Sequence, residues 1–502
     1  MKTMVEVFQH FAKENHQSIA LTWNGKTVSY AEFKEAISRL ANALRAHGIN
    51  KGDRLIIMLP NIPQFPIIYY AGLIIGAVIV PINIMLKSRE IAFLLDDAEA
   101  KAIVAWDGFA DEVLKAVTGM EALKHTIFLG DQHIENTLDL TELITSGSVE
   151  EIPVEVEEDD VALVLYTSGV TGRPKGAEIM HKSLTYHLEE IQAIFRFTSA
   201  DRFLAVHPFF QPMGQAMMMN TALAAGANLI LQPRFHPADV LSAIQDNSIT
   251  VFLGVPSMYR IIMKFPSIEK YDLKSLRYAI SGGSAFPDEL MEEFGKLFQV
   301  PLLEGYGLSE AYSFVAVNQM KRGPRKGSVG LALHGLEVKI FNDSDEEIAI
   351  DEVGEIVVQG PTVMKGYLNR PEATGIALRN GWLHTGDVGR IDFDGYLHLV
   401  DRKNDVIIKG GFKIFPREIE AVLEGLPHIQ EVAVIGIPDD DAGEEIKACV
   451  VLKPGAQITS GEIQEYCKEK MAPYKSPKMV RFYRELPKTP TGKILKEDLR
   501  KS

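Results

Sequence analysis

The apolar pattern of the chain opens its first clear helix at "SYAEFKEAISRLANALRAHG". Ser29 and Glu32 stand three apart as a capping box, Phe33, Ile37, Leu40 and Leu44 form one face, and Gly48 lies just past the end. Ahead of it, "MKTMVEVFQHFAKENHQ" is amphipathic and lacks the apolar core of a signal peptide. Next, "DRLIIMLP" reads as a buried strand and "FPIIYYAGLIIGAVIVPIN" as helix then strand. The run from Leu55 to Leu86 carries no charge, which raises the question of a membrane span. A spanning helix needs about 20 unbroken apolar residues, and Pro60, Pro63, Pro66 and Pro81 interrupt this run. Strand, loop, buried helix and strand are therefore expected, with no integral membrane segment.

The same order of elements recurs at "DRFLAVHPFFQPMGQAMMMNTALAAGANLILQP". Two such units predict related halves of one large α/β domain, with parallel strands covered by helices. Further strands read at "ITVFLGVP", "LRYAISGG" and "VPLLEGYG", each ending in a Gly-rich turn at its carboxyl end, where open α/β sheets place ligands. From "LEVKIF" through "GEIVVQG" to "YLHLVDR" the alternation predicts a smaller antiparallel layer. After "DRKNDVIIKGGFKIFP" the helices and strands alternate as in a small α+β domain. The predicted fold is thus α/β: an N-terminal domain over residues 1–400, a hinge at 401–404 and a mobile C-terminal domain over 405–502.

Composition narrows the class of partner. A content of 46% hydrophobic and 24% charged residues is that of a globular protein. The formal charge of −15 argues against nucleic acid or an anionic membrane as the main partner, so an anionic ligand requires a local positive site. The two cysteines, Cys449 and Cys467, have no metal spacing and form no disulfide framework, which fits a reducing cytoplasm. A homodimer is left open.

One local positive site stands out. In "YTSGVTGRPKGAE", an apolar strand feeds a loop in which Gly169, Gly172 and Gly176 allow sharp turns, while Thr167, Ser168, Thr171 and Lys175 supply donors. A polyanion such as phosphate suits it. The pattern is not G-x-x-x-x-G-K-[ST], because Pro174 precedes Lys175 and Gly176 follows it.

Five segments, "YTSGVTGRPKG", "EGYGLSE", "GWLHTGDVG", "DRKNDVIIKGG" and "PKTPTGK", together resemble the adenylate-forming superfamily of acyl-CoA synthetases, luciferases and peptide-synthetase adenylation domains. The likeness is greatest to fatty acyl-CoA synthetases and runs almost end to end. It implies two half-reactions. A carboxylate attacks the α-phosphate of ATP to give an acyl-adenylate and pyrophosphate, and the thiol of CoA then displaces AMP to form a thioester. Such chemistry asks for positioning and charge neutralisation.

The resemblance assigns expected roles. Thr167, Ser168, Gly169, Val170, Thr171, Gly172 and Lys175 would hold the β- and γ-phosphates. Gly283, Glu304, Gly305 and Tyr306 belong to the nucleotide site, with Tyr306 stacking on adenine. Ser309 would contact the α-phosphate and Glu310 would bind Mg²⁺, a hard cation that takes oxygen ligands. Asp387 would accept from the ribose hydroxyls, with Arg402 beside it. Lys493 would reach the carboxylate and α-phosphate, Gly410 and Gly411 would admit the pantetheine arm of CoA, and Asn404 would be the hinge. Gln211, Met213, Gly282 and Gly307 fall in the acyl pocket, as do the segments "GVPSMYR" and "SGGSAFP".

The chain departs from the family pattern at four places. Val170 stands where Thr is usual, Ser309 where Thr is commoner, Asn404 where Asp or Lys is usual, and Gln211 where the family often has His. Apart from Arg260 no basic residue falls in the acyl segments, which points to a hydrophobic monocarboxylic acid, fatty before aryl or cyclic. Three rival readings remain: an adenylation enzyme loading a carrier protein, a catalytically silent nucleotide-binding sensor, and a light-emitting oxidase.

Overall fold

The capping box forms as the pattern predicts. Ser29 precedes the helix Tyr30–Ala46, its Oγ accepts from the Glu32 N–H at 3.2 Å, and Glu32 Oε2 accepts from the Ser29 N–H at 2.7 Å. The computed structural model describes residues 1–150, 154–167, 174–283, 286, 288–409, 412–439, 443–471, 475–488 and 494–501, with the backbone alone at Asp288, Glu289, Asn404, Phe412, Lys413 and Gly443. The chain divides into two compact units: residues 1–338 with 358–384, and residues 339–357 with 385–502.

The first unit is built on two sheets. In one, the strands Val78–Pro81, Arg54–Met58, Ala102–Trp106 and His125–Leu129 run parallel, and the antiparallel pair Val161–Thr167 and Lys175–Met180 extends them, with Gly366–Tyr367 at the edge. In the other, Asn228–Leu231, Arg202–Ala205, Val251–Gly254, Tyr278–Ser281 and Leu302–Leu308 run parallel. The repeated order of elements thus yields two related α/β halves. The helix Gln64–Ile74 is buried all round, as a helix without a polar face must be, so the uncharged run is an internal element. No helix among the described residues is long and apolar enough to cross a membrane.

One element was not foreseen from the sequence and two details differ from its reading. First, the N-terminal hairpin Ile19–Trp23 and Lys26–Ser29 joins the second sheet, where Leu21 pairs with Leu229. Second, "EGYG" is not a turn. The strand Leu302–Leu308 runs through it and Gly305 to Leu308 pair antiparallel with Ser313–Val317, an approach open to Gly307 because the Ser313 carbonyl occupies the place of a side chain. Third, Lys175 and Gly176 are strand residues, facing Thr167 and Tyr166 across a hairpin.

The second unit holds a four-stranded sheet, whose strands lie mostly within it, and a five-stranded one. The first comprises Glu337–Phe341, Gly354–Gln359, Leu383–Ile391 and Leu397–Arg402. In the second, Ile429–Asp439 pairs antiparallel with Gly443–Leu452, and the helices Pro416–Glu424 and Ser460–Lys470 bring Ile419, Leu423, Ile463 and Cys467 to the core. Both cysteines are free and buried, and burial pushes the Cys467 thiol up to about 11, which leaves it unreactive at neutral pH.

Replacing Ser29 by Ala removes the acceptor of the Glu32 N–H, while the Tyr30 and Ala31 N–H groups keep the Ser18 and His16 carbonyls. The variant should unfold at lower urea with a loss of about 1 kcal/mol; an unchanged midpoint would show that tertiary packing alone holds that helix end.

Candidate active site

In the first unit the ends of several strands converge on one carboxylate. Glu310 sits on the turn Ser309–Ala311 that follows Leu302–Leu308. Its Oε1 accepts from the Thr167 hydroxyl at 3.2 Å and from the Tyr367 hydroxyl at 2.9 Å. Lys175 Nζ lies 4.9 Å from the centre of the Tyr367 ring, a cation–π contact. Burial first, and the adjacent Glu310 charge second, push the Tyr367 hydroxyl far above its ordinary pKa, so it stays a donor. The backbone supports the turn as well, since the Met364 N–H donates to the Glu310 carbonyl at 2.8 Å. Below Thr167, the Tyr166 hydroxyl donates to Asp97 Oδ2 at 2.9 Å, and Arg370 pairs with the same carboxyl group.

Thr167, Lys175, Ser309 and Glu310 are therefore brought together, and Tyr367 joins them. Sequence reasoning missed Tyr367, because nothing local to "KGYLNRP" points to a carboxylate 57 residues earlier. Glu304 is buried, and its Oε1 accepts from the Phe286 N–H at 3.0 Å. Tyr306 is buried in its strand opposite Ala316, and Gly305 opposite Val317.

The acyl segments also meet. A methyl group placed on Gly282 would come within 2.8 Å of Met213 Sδ and of the Phe314 ring, and one on Gly305 within 2.8 Å of the same ring. Phe314, likewise missed, thus lies against both glycines. Gln211 is half-buried at the start of this stretch, and Met217, Met218 and Met219 are buried in the π-helix Gly214–Asn220.

In the second unit Asp387 and Arg402 face each other across paired strands, with Arg402 Nε 3.2 Å from Asp387 Oδ1. The Asp387 N–H donates to Thr385 Oγ1 at 3.1 Å, and the neighbouring Gly386 N–H to Glu355 Oε1 at 3.2 Å. The Asp387 side chain is largely buried and that of Arg402 exposed, so the pair presents its charge to one side. The candidate residues Ser168, Gly169, Val170, Thr171, Gly172, Gly410, Gly411 and Lys493 lie outside the described residues, as does the side chain of Asn404.

This arrangement has clear counterparts. Residues 8–368 match the family described as AMP-binding enzyme, and residues 418–493 its C-terminal domain. A feruloyl-CoA synthase from Amycolatopsis sp is 37% identical, covering 98% of this chain and 97% of that one. A long-chain-fatty-acid–CoA ligase of Bacillus subtilis is 34% identical, over 99% of this chain and 94% of that one. Among solved structures, ATP-bound MatB from Rhodopseudomonas palustris superposes with a TM-score of 0.92 at 30% identity, covering 99% of this chain and 98% of that one. Fold and matches together define an adenylate-forming acid–thiol ligase. The chain belongs to the AMP-binding enzyme family.

Three histidines of the first unit are buried and neutral. Burial pushes His181 down to about 4, His187 to about 3 and His207 to about 4, the last against an opposing pull from the Gln211 side chain. The unfolded chain takes up protons near pH 6.5 and the folded one does not, so stability is fully present above about 6.5 and erodes as pH falls toward 4. For His187 the loss by pH 5 is on the order of 2 kcal/mol. Urea midpoints compared at pH 7.5 and 5.0 should therefore fall less in His187→Phe than in the parent; equal falls would mean that His187 protonates in the folded state.

Proposed function

We propose that this chain is an AMP-forming acyl-CoA synthetase of the cytoplasm that activates a hydrophobic monocarboxylic acid, with a medium- or long-chain fatty acid favoured. ATP and CoA as co-substrates fit the family. The observation that carries the reading is the gathering of Thr167, Lys175 and Glu310 with Tyr367 at the strand ends of the first unit. The fatty preference is supported by the uncharged, buried stretch Gly214–Asn220 that starts beside Met213 and Gly282.

In this reading residues 168–172 and Lys175 cradle the β- and γ-phosphates, and Ser309 donates to the α-phosphate. Tyr306 offers its ring to adenine, held in place by its strand pairing, while Gly283 lets backbone approach the nucleotide and Gly305, beside Tyr306, leaves room for the Phe314 ring. Asp387, held by Thr385, accepts from the ribose, and Arg402 steadies it. Glu310 suits Mg²⁺: its carboxylate is a hard oxygen donor, and the Thr167 hydroxyl is a second oxygen at 3.2 Å. When bound, such an ion would offset the phosphate charge. Gln211 orients the acyl carboxylate as an uncharged amide, and Lys493 neutralises charge as the adenylate forms. Gly410 and Gly411 pass the pantetheine arm after residues 405–502 rotate about Asn404 relative to residues 1–400.

An aryl carboxylate is the second reading. It is supported by the Phe314 ring packed against Gly282 and Gly305, an aromatic surface in the segments assigned to the acid, and by the likeness to a feruloyl-CoA synthase. AMP release from Mg-ATP across fatty, aryl, cyclic and amino acids, each with and without CoA, tests both. CoA-dependent release with a hydrophobic acid is the expected outcome; acid-dependent pyrophosphate exchange that ignores CoA would point to a carrier-protein acceptor instead.

Two variants should separate the half-reactions. Lys493→Ala should slow adenylate formation roughly 100-fold while leaving CoA attack on supplied acyl-adenylate nearly intact. Gly411→Leu should do the opposite, and equal losses in both steps for either variant would remove the assigned role.

A further inference from the structure

Directly after the turn that carries Glu310, two consecutive residues with side chains adopt left-handed backbone: Tyr312 at φ 48° and Ser313 at φ 84°. For a bulky aromatic this is an unfavourable conformation, and it persists only where the surroundings over-determine it. The surroundings here are polar and closed. Tyr312 is 1% exposed, its hydroxyl accepts from Asn220 Nδ2 at 2.9 Å and stands 3.5 Å from Gln215 Oε1, and its ring meets that of His187 edge-on at 5.5 Å. Asn220 Nδ2 also donates to the Tyr69 hydroxyl at 3.2 Å, and Asn220 Oδ1 accepts from the Tyr70 hydroxyl at 3.0 Å. On its other side Tyr312 closes the turn, its N–H donating to the Ser309 carbonyl at 3.1 Å.

The element that supplies Asn220 matters. Asn220 ends the π-helix Gly214–Asn220, a helix form that recurs at functional sites. The helix begins one residue after Met213, which lies against Gly282. One short element therefore follows directly on Met213 at its start and bonds, through Asn220, the residue after the Glu310 turn at its end. Packing alone would be served as well by Phe at position 312, which differs only in the hydroxyl.

We infer that Tyr312 is a positioning residue: its hydroxyl, tied to Asn220, sets the turn that aims Glu310 and links that turn to the acyl-pocket helix. The inference rests on the reading of Glu310 as the Mg-ATP ligand. Calorimetry of ATP binding with and without Mg²⁺, in the absence of acid, reads the aim of Glu310 independently of turnover. Tyr312→Phe should lose about tenfold of the Mg²⁺-dependent gain in ATP affinity. Its kcat for AMP release should fall by a similar factor, with the KM for the acid changed less than about threefold.

Because the two residues act as a unit, Tyr312→Phe added to Glu310→Gln should cost nothing beyond Glu310→Gln alone. Asn220→Ser, which removes the amide that donates to the Tyr312 hydroxyl while keeping the ring, should reproduce the pattern of Tyr312→Phe and serves if that variant does not fold. Additive losses in the double variant, or Mg²⁺-dependent ATP affinity unchanged in either single variant, overturn the inference while Glu310→Gln still abolishes that dependence. If Glu310→Gln leaves the dependence intact, the reading of Glu310 falls and the inference with it.

Discussion

A single carboxylate held by two hydroxyls joins the two halves of the first unit. Glu310 accepts from Thr167, at the end of a central strand of one sheet, and from Tyr367, on the edge strand of that same sheet. Glu310 itself follows a strand of the other sheet. The contact therefore ties together the two α/β halves at the strand ends, where such sheets present their ligand sites. A charge placed there without partners would be costly to bury, and the two hydrogen bonds offset that cost while leaving further lone pairs open.

The electrostatic problem is one of local sign against global sign. The chain carries a formal charge of −15, yet nucleotide, acid and CoA are all anions. In the proposed reading, what makes the site hospitable is short-range: Lys175 set against an aromatic face, a Tyr367 hydroxyl kept protonated by burial and by Glu310, and salt-screened repulsion beyond about a Debye length, ~8 Å at physiological ionic strength. The segments assigned to the acyl pocket bring apolar side chains and unsubstituted glycines together, with no charge among those contacts.

What could be read from the chain alone follows the range of the interactions. The Ser29–Glu32 cap, the buried strands and the core face of Pro416–Glu424 are set within a few residues, and their periodicity is visible. The family motifs were visible for a related reason, as compact strings around Thr167, Glu310 and Asp387. Tyr367, Phe314 and the Asn220–Tyr312 bond were not, because each depends on residues brought close only by the sheets. The strand through Gly305 and Gly307 was misread as a turn for an opposite reason: local composition favours a turn, but pairing with Ser313–Val317 overrides it. Lys175 likewise belongs to a hairpin strand, so its direction is set by sheet pleat and not by loop flexibility.

The placement of the N-terminal hairpin bears on how the chain is made. Leu21 pairs with Leu229, so the partner of an early strand is synthesised 208 residues later, 229 less 21. At roughly 5–20 residues per second of elongation, that strand waits on the order of 10–40 s for its neighbour. The first parallel sheet has all of its central strands by then, whereas the second cannot seat its oldest strand until Asn228–Leu231 has been made. Completion of the second half is thus a late, non-local event, and the apolar Ala20 and Leu21 are the residues a nascent-chain chaperone would have reason to cover in the interval.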